Sequence, residues 1–303
     1  MENEISGVLL VNKHQGVTSH DIVFKIRRLF STKKVGHTGT LDPLATGILP
    51  VLIGRSAKAA EYLLSENKKY VAQLKLGITT DTEDITGNVL SKTDSLPSKE
   101  DFFDACKKMV GDIKQVPPMY SALKVNGKKL VDLAREGITI ERQARDITVF
   151  EILPRDVDEK QGIYEISVSC SKGTYIRTLC ADIGKLLGCG AAMTKLERTE
   201  TGSFNIKDSH TIDDLEKMSY EERIDKLIPT DSLFLEAEAL TLSGFYLRLF
   251  KSGCEIYQNK IKTSYPVDAF LRIYDESGDF LALAQVKEFE QGTAIKSIKF
   301  FKI

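Results

Sequence analysis

Val35-Gly36-His37-Thr38-Gly39-Thr40-Leu41-Asp42-Pro43-Leu44-Ala45-Thr46-Gly47 places one carboxylate in a stretch whose other residues shape backbone rather than bury area. Gly36, Gly39 and Gly47 let the chain take positive φ or approach a ligand closely, and Pro43 pushes Asp42 out of the α region and fixes the turn behind it. An isolated Asp-Pro reads as a turn entering a helix. This run spends far more special residues than a turn needs and then resumes as an apolar segment, Ile48 to Ile53. That pattern suits a binding or catalytic loop carried on a core element.

Working outward, Val8-Leu9-Leu10-Val11 reads as a buried strand ending at Lys13, and Thr18, Ser19 and Asp21 supply cap residues for a helix with Ile22, Val23, Ile26, Leu29 and Phe30 on one face. Alternation from Tyr70 to Leu76 predicts a strand ended by Gly77, followed by the polar loop Asp81-Thr82-Glu83-Asp84. A helix over Phe102 to Met109 begins after Ser98 or Lys99. Pro117-Pro118 bars Gln115 to Gly127 from regular helix or central strand, so this segment is expected as an exposed, partner-facing loop. Ile163 to Cys170 alternates again, and Lys172-Gly173-Thr174 turns the chain into a helix marked by Ile176, Leu179, Cys180, Ile183, Leu186 and Leu187. Thr174 is the expected N-cap, which puts Tyr175 and Arg177 in the first turn, where an anion is favoured. An Arg there opposes the helix dipole and calls for a compensating carboxylate or phosphate. The order of elements predicts an α+β or mixed-sheet fold. Residues 207 to 238 read as short helices or a connector, Phe270 to Ala284 as a hairpin, and 239–303 as a small β-rich module.

With 303 residues and 42% hydrophobic content, the chain can bury a large core in one big domain or two unequal ones. Met1-Glu2-Asn3-Glu4 lacks a signal-peptide start and no apolar run approaches a membrane span, which predicts a cytoplasmic protein without membrane contact. Five cysteines with no Cys-x-x-Cys pair fit packing thiols in a reducing compartment. The formal net charge of −1 hides an uneven distribution: residues 1 to 80 carry eleven Lys/Arg against six Asp/Glu, and residues 207 to 238 carry four against ten. One basic face can therefore attract a polyanion, although charge blocks on solvated helices produce similar counts.

The run Gly36 to Gly47 resembles the active-site motif of the TruB family, the bacterial tRNA pseudouridine-55 synthases. The resemblance recurs in the family's order at Val11-Asn12-Lys13 with Gly16-Val17-Thr18-Ser19, at Lys69-Tyr70, at Thr80-Asp81-Thr82-Glu83-Asp84 with Gly87, at Val116 to Lys124, and at Cys170 to Arg177, covering most of residues 7 to 200. It implies the α+β pseudouridine synthase fold, a mixed, mainly antiparallel sheet flanked by helices. The catalytic domain is then 1–238, with an RNA-gripping insertion at about 115–150, and 239–303 is a PUA-like RNA-binding module.

The implied reaction breaks a uridine's N-glycosidic bond, turns the detached base and rejoins it through carbon. It needs a held carboxylate and a closed pocket, but no metal or other cofactor. Asp42 is the implied catalytic aspartate, as nucleophile on the ribose C1′ or as base toward a ribose proton. Tyr70, by itself a core strand aromatic, is implied to stack on the target base, with its hydroxyl in the final proton transfer. By the same resemblance Arg177 pairs with Asp42, while Tyr175 and Leu196 line the base site. His37 read alone is a base, a ligand or a structural donor, and no metal-ligand spacing joins it to His14, His20 or His210. The resemblance places it where the flipped uridine has left its stack. Lys13 meets a phosphate or supports the loop, and here the family's Lys-Pro is replaced by Lys13-His14, which loosens the turn. Lys124, Lys128 and Lys129 fit the grip on the T-arm stem-loop of a tRNA partner.

Three other readings compete. A glycosidase-like hydrolase shares the attack on an anomeric carbon, yet usually needs two carboxylates. A non-catalytic tRNA-binding chaperone has no need of Asp42. A guide-RNA-dependent rRNA synthase generally carries basic tails and partner proteins, and neither terminus here is strongly basic. A stand-alone tRNA synthase without an obligate protein partner is the expectation.

Overall fold

In a computed structural model of the chain, the structure describes residues 5–63, 66–125 and 127–302. The reading of Met1 to Glu4 lies outside the described residues, as does Asn126 within the expected insertion.

The first strand, β1 (Gly7–Lys13), is an unbroken apolar run because both of its faces are covered: Leu9 and Val11 enter the main core, while Val8 and Leu10 meet Ile48, Leu52 and Leu63 on the other side. Helix α1 (Ser19–Leu29) starts at a reciprocal capping box between Thr18 and Asp21 and buries Ile22, Val23 and Ile26. Next come β2 (Val35–His37), β3 (Thr46–Ile53), the single turn α2 (Ala60–Leu63) and β4 (Lys68–Leu76). The short pair β5 (Ile78–Thr80) and β6 (Val89–Lys92) carries the polar loop, and α3 (Lys99–Lys108) begins at a Ser98–Asp101 capping box.

After β7 (Gly111–Gln115), the hairpin β8 (Lys124–Val125) and β9 (Lys128–Lys129) leads into α4 (Leu130–Arg135). The expectation of an exposed loop over Gln115 to Gly127 holds only for its second half. Pro117, Pro118 and Met119 are buried, because a segment without N–H donors at two positions is sealed against the core more cheaply than one with free amides. The long β10 (Arg145–Asp158) and β11 (Ile163–Cys170) precede α5 (Ile176–Leu186), β12 (Ala191–Thr201) and β13 (Phe204–Asn205).

Among the described residues these strands form a nine-stranded sheet of order β1-β3-β12-β4-β11-β10-β7, with β2 on β3 and β13 on β12. The pairing is antiparallel except at β12 and β3, where Glu197 meets Thr46 and Arg198 meets Gly47 in parallel register. Helices α1, α3 and α5 cover one face through Ile26, Phe102, Leu179 and Ile183. This is the mixed, mainly antiparallel sheet that the family resemblance implies, within the α+β or mixed-sheet class that the order of elements predicts.

The acidic stretch folds as α6 (Ile212–Lys217) and α7 (Tyr220–Asp225), and the chain then adds a bridge to β1 through Val8 N–H and the Ile228 carbonyl. A second sheet of order β14-β16-β17-β18-β15 follows. It is built from β14 (Glu238–Thr241), β15 (Ile256–Tyr257), β16 (Phe270–Tyr274), β17 (Phe280–Phe289) and β18 (Gly292–Phe300), with α8 (Gly244–Lys251) and α9 (Gln258–Ile261) between strands. The expected hairpin is β16 and β17, with Leu271 opposite Ala284. This sheet has its own core, including Leu242, Phe250, Ile273 and Val286. It meets the first unit through Phe234, Phe301 and Ala59 and through an ion pair of 2.7 Å between Lys299 and Glu61.

Candidate active site

The loop between β2 and β3 is held by a turn of its own, Ala45 N–H to Asp42 O at 3.0 Å, and by its surroundings. Ser19, the first residue of α1, accepts from Leu41 N–H at 2.8 Å and donates to Leu41 O at 3.1 Å, pinning the residue before Asp42. Gly16 N–H donates to Pro43 O at 2.8 Å on the far side. Gly39 and Gly47 take φ of +74° and +103°, as a glycine-rich turn requires, whereas Gly36 sits in β2 without positive φ. The backbone therefore delivers Asp42 at a fixed place.

Asp42 lies at one wall of a cavity of about 290 Å³, whose lining includes Tyr70, Tyr120, Tyr175, Arg177, Leu196 and Arg198. Of the sequence-expected set, Asp42, Tyr70, Tyr175, Arg177 and Leu196 are brought together from four parts of the chain. Tyr70 comes from β4 and Leu196 from the adjacent β12; both are 8% exposed. Tyr175 and Arg177 come from the start of α5. The N-cap is Tyr175, not Thr174, whose hydroxyl instead turns back to Ser171 O at 3.0 Å. Thr174 is spent on the preceding turn, and the cap position is served by another part of the chain: the Gln115 side chain accepts from Tyr175 N–H at 2.8 Å and donates to Tyr175 O at 3.1 Å.

Arg177 is 5% exposed and fully engaged. Its Nε lies 2.9 Å from Asp42 Oδ2, Nη1 donates to Thr82 O at 3.0 Å and stands 3.7 Å from Asp84 Oδ2, and Nη2 donates to Tyr120 O at 2.7 Å. Asp84 in turn accepts from Thr82 Oγ1 and Thr86 N–H, both at 2.9 Å. The compensating anion expected for a first-turn Arg is thus a carboxylate from a distant loop.

Burial raises the Asp42 carboxyl above the usual aspartate range; Arg177 opposes this, the Asp84 charge adds to it, and Lys13 opposes it again. The side chain nevertheless remains 39% exposed to the cavity, so an incoming group can reach it. Burial also raises the Tyr70 and Tyr175 phenols, which keeps both protonated at neutral pH.

Two expected residues stand behind the cavity rather than on its wall. Lys13 is fully buried, and its Nζ donates to His14 O at 3.0 Å and Val17 O at 2.8 Å. It closes the turn that carries Gly16, so of its two expected roles the geometry supports loop support and leaves no open ammonium for a phosphate. Desolvation lowers its pKa to about 8. His37 ends β2 opposite Val51, and burial lowers its pKa, with Arg198 and His20 adding to the effect, so it is a neutral imidazole.

Sequence reasoning missed Arg198, Lys68 and Gln115. Arg198 follows Leu196 by two residues and Lys68 precedes Tyr70 by two, so strand periodicity places each on the same face as a recognised pocket residue; that signal was available. Gln115 has no such signal, because it acts on main-chain atoms 60 residues away. Among the described residues no three of His, Cys, Asp and Glu converge, and no helix is long and apolar enough to cross a membrane.

A carboxylate fixed beside a base-sized, tyrosine-lined space can attack or deprotonate a sugar and hold a planar ring. A second carboxylate for hydrolysis is missing from the cavity wall: Asp84 is behind Arg177, with its side chain 7% exposed.

The sequence model of the TruB family pseudouridylate synthase (N terminal domain) matches residues 27–176, and that of the tRNA pseudouridylate synthase B C-terminal domain matches 177–239. The tRNA pseudouridine synthase B of Clostridium kluyveri is 41% identical over 298 residues, covering 98% of this chain and 100% of that protein. The tRNA pseudouridine synthase B of Neisseria gonorrhoeae is 43% identical over 284 residues, covering 94% and 91%. Among solved structures, an H/ACA RNP bound to a substrate RNA containing 2′-deoxyuridine has a chain that superposes with a TM-score of 0.70 at 21% identity, covering 98% of this chain and 85% of that one, a likeness of fold alone.

Proposed function

This chain belongs to the TruB family of pseudouridylate synthases and is by that membership a tRNA uridine-to-pseudouridine isomerase, and we propose that its target is the uridine at position 55 in the TΨC loop, with Asp42 as the catalytic group. The observation that carries this reading is the Asp42 carboxylate itself, paired to Arg177 at 2.9 Å and open to a cavity of about 290 Å³. That volume is near the lower end of small-molecule pockets, roughly 300–1,000 Å³, and admits one nucleoside rather than a duplex. The target base must therefore leave its stack, at a cost of about a few kcal/mol that stacking on Tyr70 offsets in part.

In the pocket, Asp42 acts on the ribose, either at C1′ or at a ribose proton, and the N1–C1′ bond breaks. The free uracil is retained between Tyr70, Tyr175 and Leu196 while it turns. A C5–C1′ bond then forms, C5 gives up its proton and N1 gains one, so substrate and product are isomers and no cofactor is required. Arg177 keeps Asp42 ionised and aimed. His37, neutral and adjoining the loop, is suited to filling the place of the extruded base, and Lys13 holds the loop from behind.

The exposed Lys124, Lys128 and Lys129 of the β8–β9 hairpin meet backbone phosphates of the T-arm, within an insertion at about 115–150. The catalytic domain is 1–238 and the second sheet, 239–303, is a PUA-like module that adds RNA contact. Five free cysteines suit action in the reducing cytoplasm. The protein works without a guide RNA or an obligate protein partner. The test is to map pseudouridine in an unmodified tRNA transcript after incubation with the purified chain alone. Modification at position 55 supports the reading, and modification elsewhere, or only with an added guide RNA, overturns it.

A further inference from the structure

Arg198 is 1% exposed and heads the fully buried side chains by size. It stands on β12 two residues after Leu196, and its guanidinium bonds the chain on both sides of Asp42: Nε donates to Ile48 O in β3 at 2.8 Å and Nη2 to Gly39 O in the loop at 3.1 Å. Its main chain closes the same loop, since Arg198 is the parallel partner of Gly47, and a Cβ on Gly47 would lie 2.2 Å from Arg198 O. On its other side Arg198 is the register partner of Tyr70 in β4, and its charge holds the Tyr70 phenol lower than burial alone would.

All these side-chain acceptors are neutral. Among the described residues no carboxylate stands within ion-pair distance of Arg198, so burial of this charge is not repaid by a salt bridge. A neutral donor would tie two carbonyls at less cost. A cation lining the cavity beside Tyr70 is instead placed for the reaction.

We propose that Arg198 is a positioning residue of the isomerisation, one guanidinium that sets the spacing between the Asp42 carboxylate and the Tyr70 ring by holding the chain on both sides of Asp42 from a strand position paired with Tyr70. The inference rests on the isomerase reading. Arg198 touches the carbonyls of Gly39 and Ile48, stands beside Tyr70 and acts on the substrate through Asp42 and Tyr70. A small displacement of either group slows the chemical step while the T-arm contacts, made elsewhere, keep the RNA bound.

The experiment measures single-turnover rate and tRNA dissociation constant for the wild type, Arg198→Gln and Arg198→Lys, together with the Tyr70 ring titration followed by ¹³C NMR in the free proteins. The expected result is tRNA affinity within about threefold of wild type, a rate lowered roughly 100-fold in Arg198→Gln and less in Arg198→Lys, and a Tyr70 phenol that titrates higher once the guanidinium is gone. Arg198→Lys keeps the cation and decides the matter should the glutamine variant fail to fold. A rate within threefold of wild type, or rate and affinity falling by one common factor with the Tyr70 titration unmoved, overturns the inference. An inactive wild type removes the isomerase reading instead.

Discussion

Arg177 Nε stands 2.9 Å from Asp42 Oδ2, and the same guanidinium is shared with two carbonyls and with Asp84. The arrangement holds the Asp42 carboxylate while its side chain stays 39% exposed at the cavity wall.

Because burial raises the Asp42 pKa and the proposed reaction uses its carboxylate, activity is expected to fall as pH drops through a value above the ordinary aspartate range. Arg177→Met removes the main opposing charge and moves that acid limb to still higher pH. Its effect at neutral pH is a rate loss of roughly 100-fold or more, since a half-buried carboxylate loses both its partner and its aim. A pH–rate profile of both proteins is the check; an acid limb that stays put in the variant contradicts the assignment of Arg177.

Gly47 and Gly36 lie in one motif and predict opposite outcomes. Gly47→Ala puts a Cβ 2.2 Å from Arg198 O at φ +103°, so destabilisation of ~3 kcal/mol or more is expected. Gly36→Ala meets nothing within 4 Å and changes stability by less than ~0.5 kcal/mol. Urea unfolding separates the two, and equal effects would mean that the loop is not held as described.

Gln115 is 2% exposed and donates to and accepts from the Tyr175 main chain. Gln115→Ala leaves these groups unpaired and costs roughly 1–3 kcal/mol, with a slower reaction as the start of α5 loosens around Arg177. Wild-type stability together with a wild-type rate would show that the cap is idle.

Burial pushes the Cys106 thiol up to about 12 and the Cys170 thiol up to about 11, and raises Cys180 as well, whereas Cys254 is exposed. In the native protein at pH 8 a thiol reagent is therefore expected to modify Cys254 first, Cys189 slowly and the three core thiols only after denaturation. Rapid reaction of Cys106, Cys170 or Cys180 would contradict the packing of α3, β11 and α5.

What was legible in the sequence is what local chemistry specifies. The Asp42 loop announces itself because glycine and proline have no packing use there, and β4 and β11 announce themselves by alternation. The misplaced cap at Thr174 shows the limit: a hydroxyl that can serve the turn or the helix is assigned by tertiary context. Pro117-Pro118 has the same lesson, since the sequence forbids regular structure there but does not say which face is covered. Gln115 and Arg198 act through side chain to main chain bonds spanning 60 to 159 residues, and no periodicity records such pairings. The Asp42–Arg177 pair became an expectation only through the family resemblance, and its distance, its burial and the third member Asp84 required the fold.

The central claim is that Asp42 performs the chemistry. Its raised pKa means that folding disfavours the ionised form relative to the unfolded chain, so by linkage this group's contribution to stability is greatest below the unfolded-state pKa and is lost as pH rises through the folded value. Asp42→Asn, a neutral isostere, is therefore expected to melt no lower than wild type at neutral pH. The deciding measurement is tritium release from tRNA labelled at C5 of uridine, with wild type and Asp42→Asn side by side. Release by the wild type alone, from a variant that still folds and binds tRNA, is the predicted result; release that survives the substitution would contradict the account.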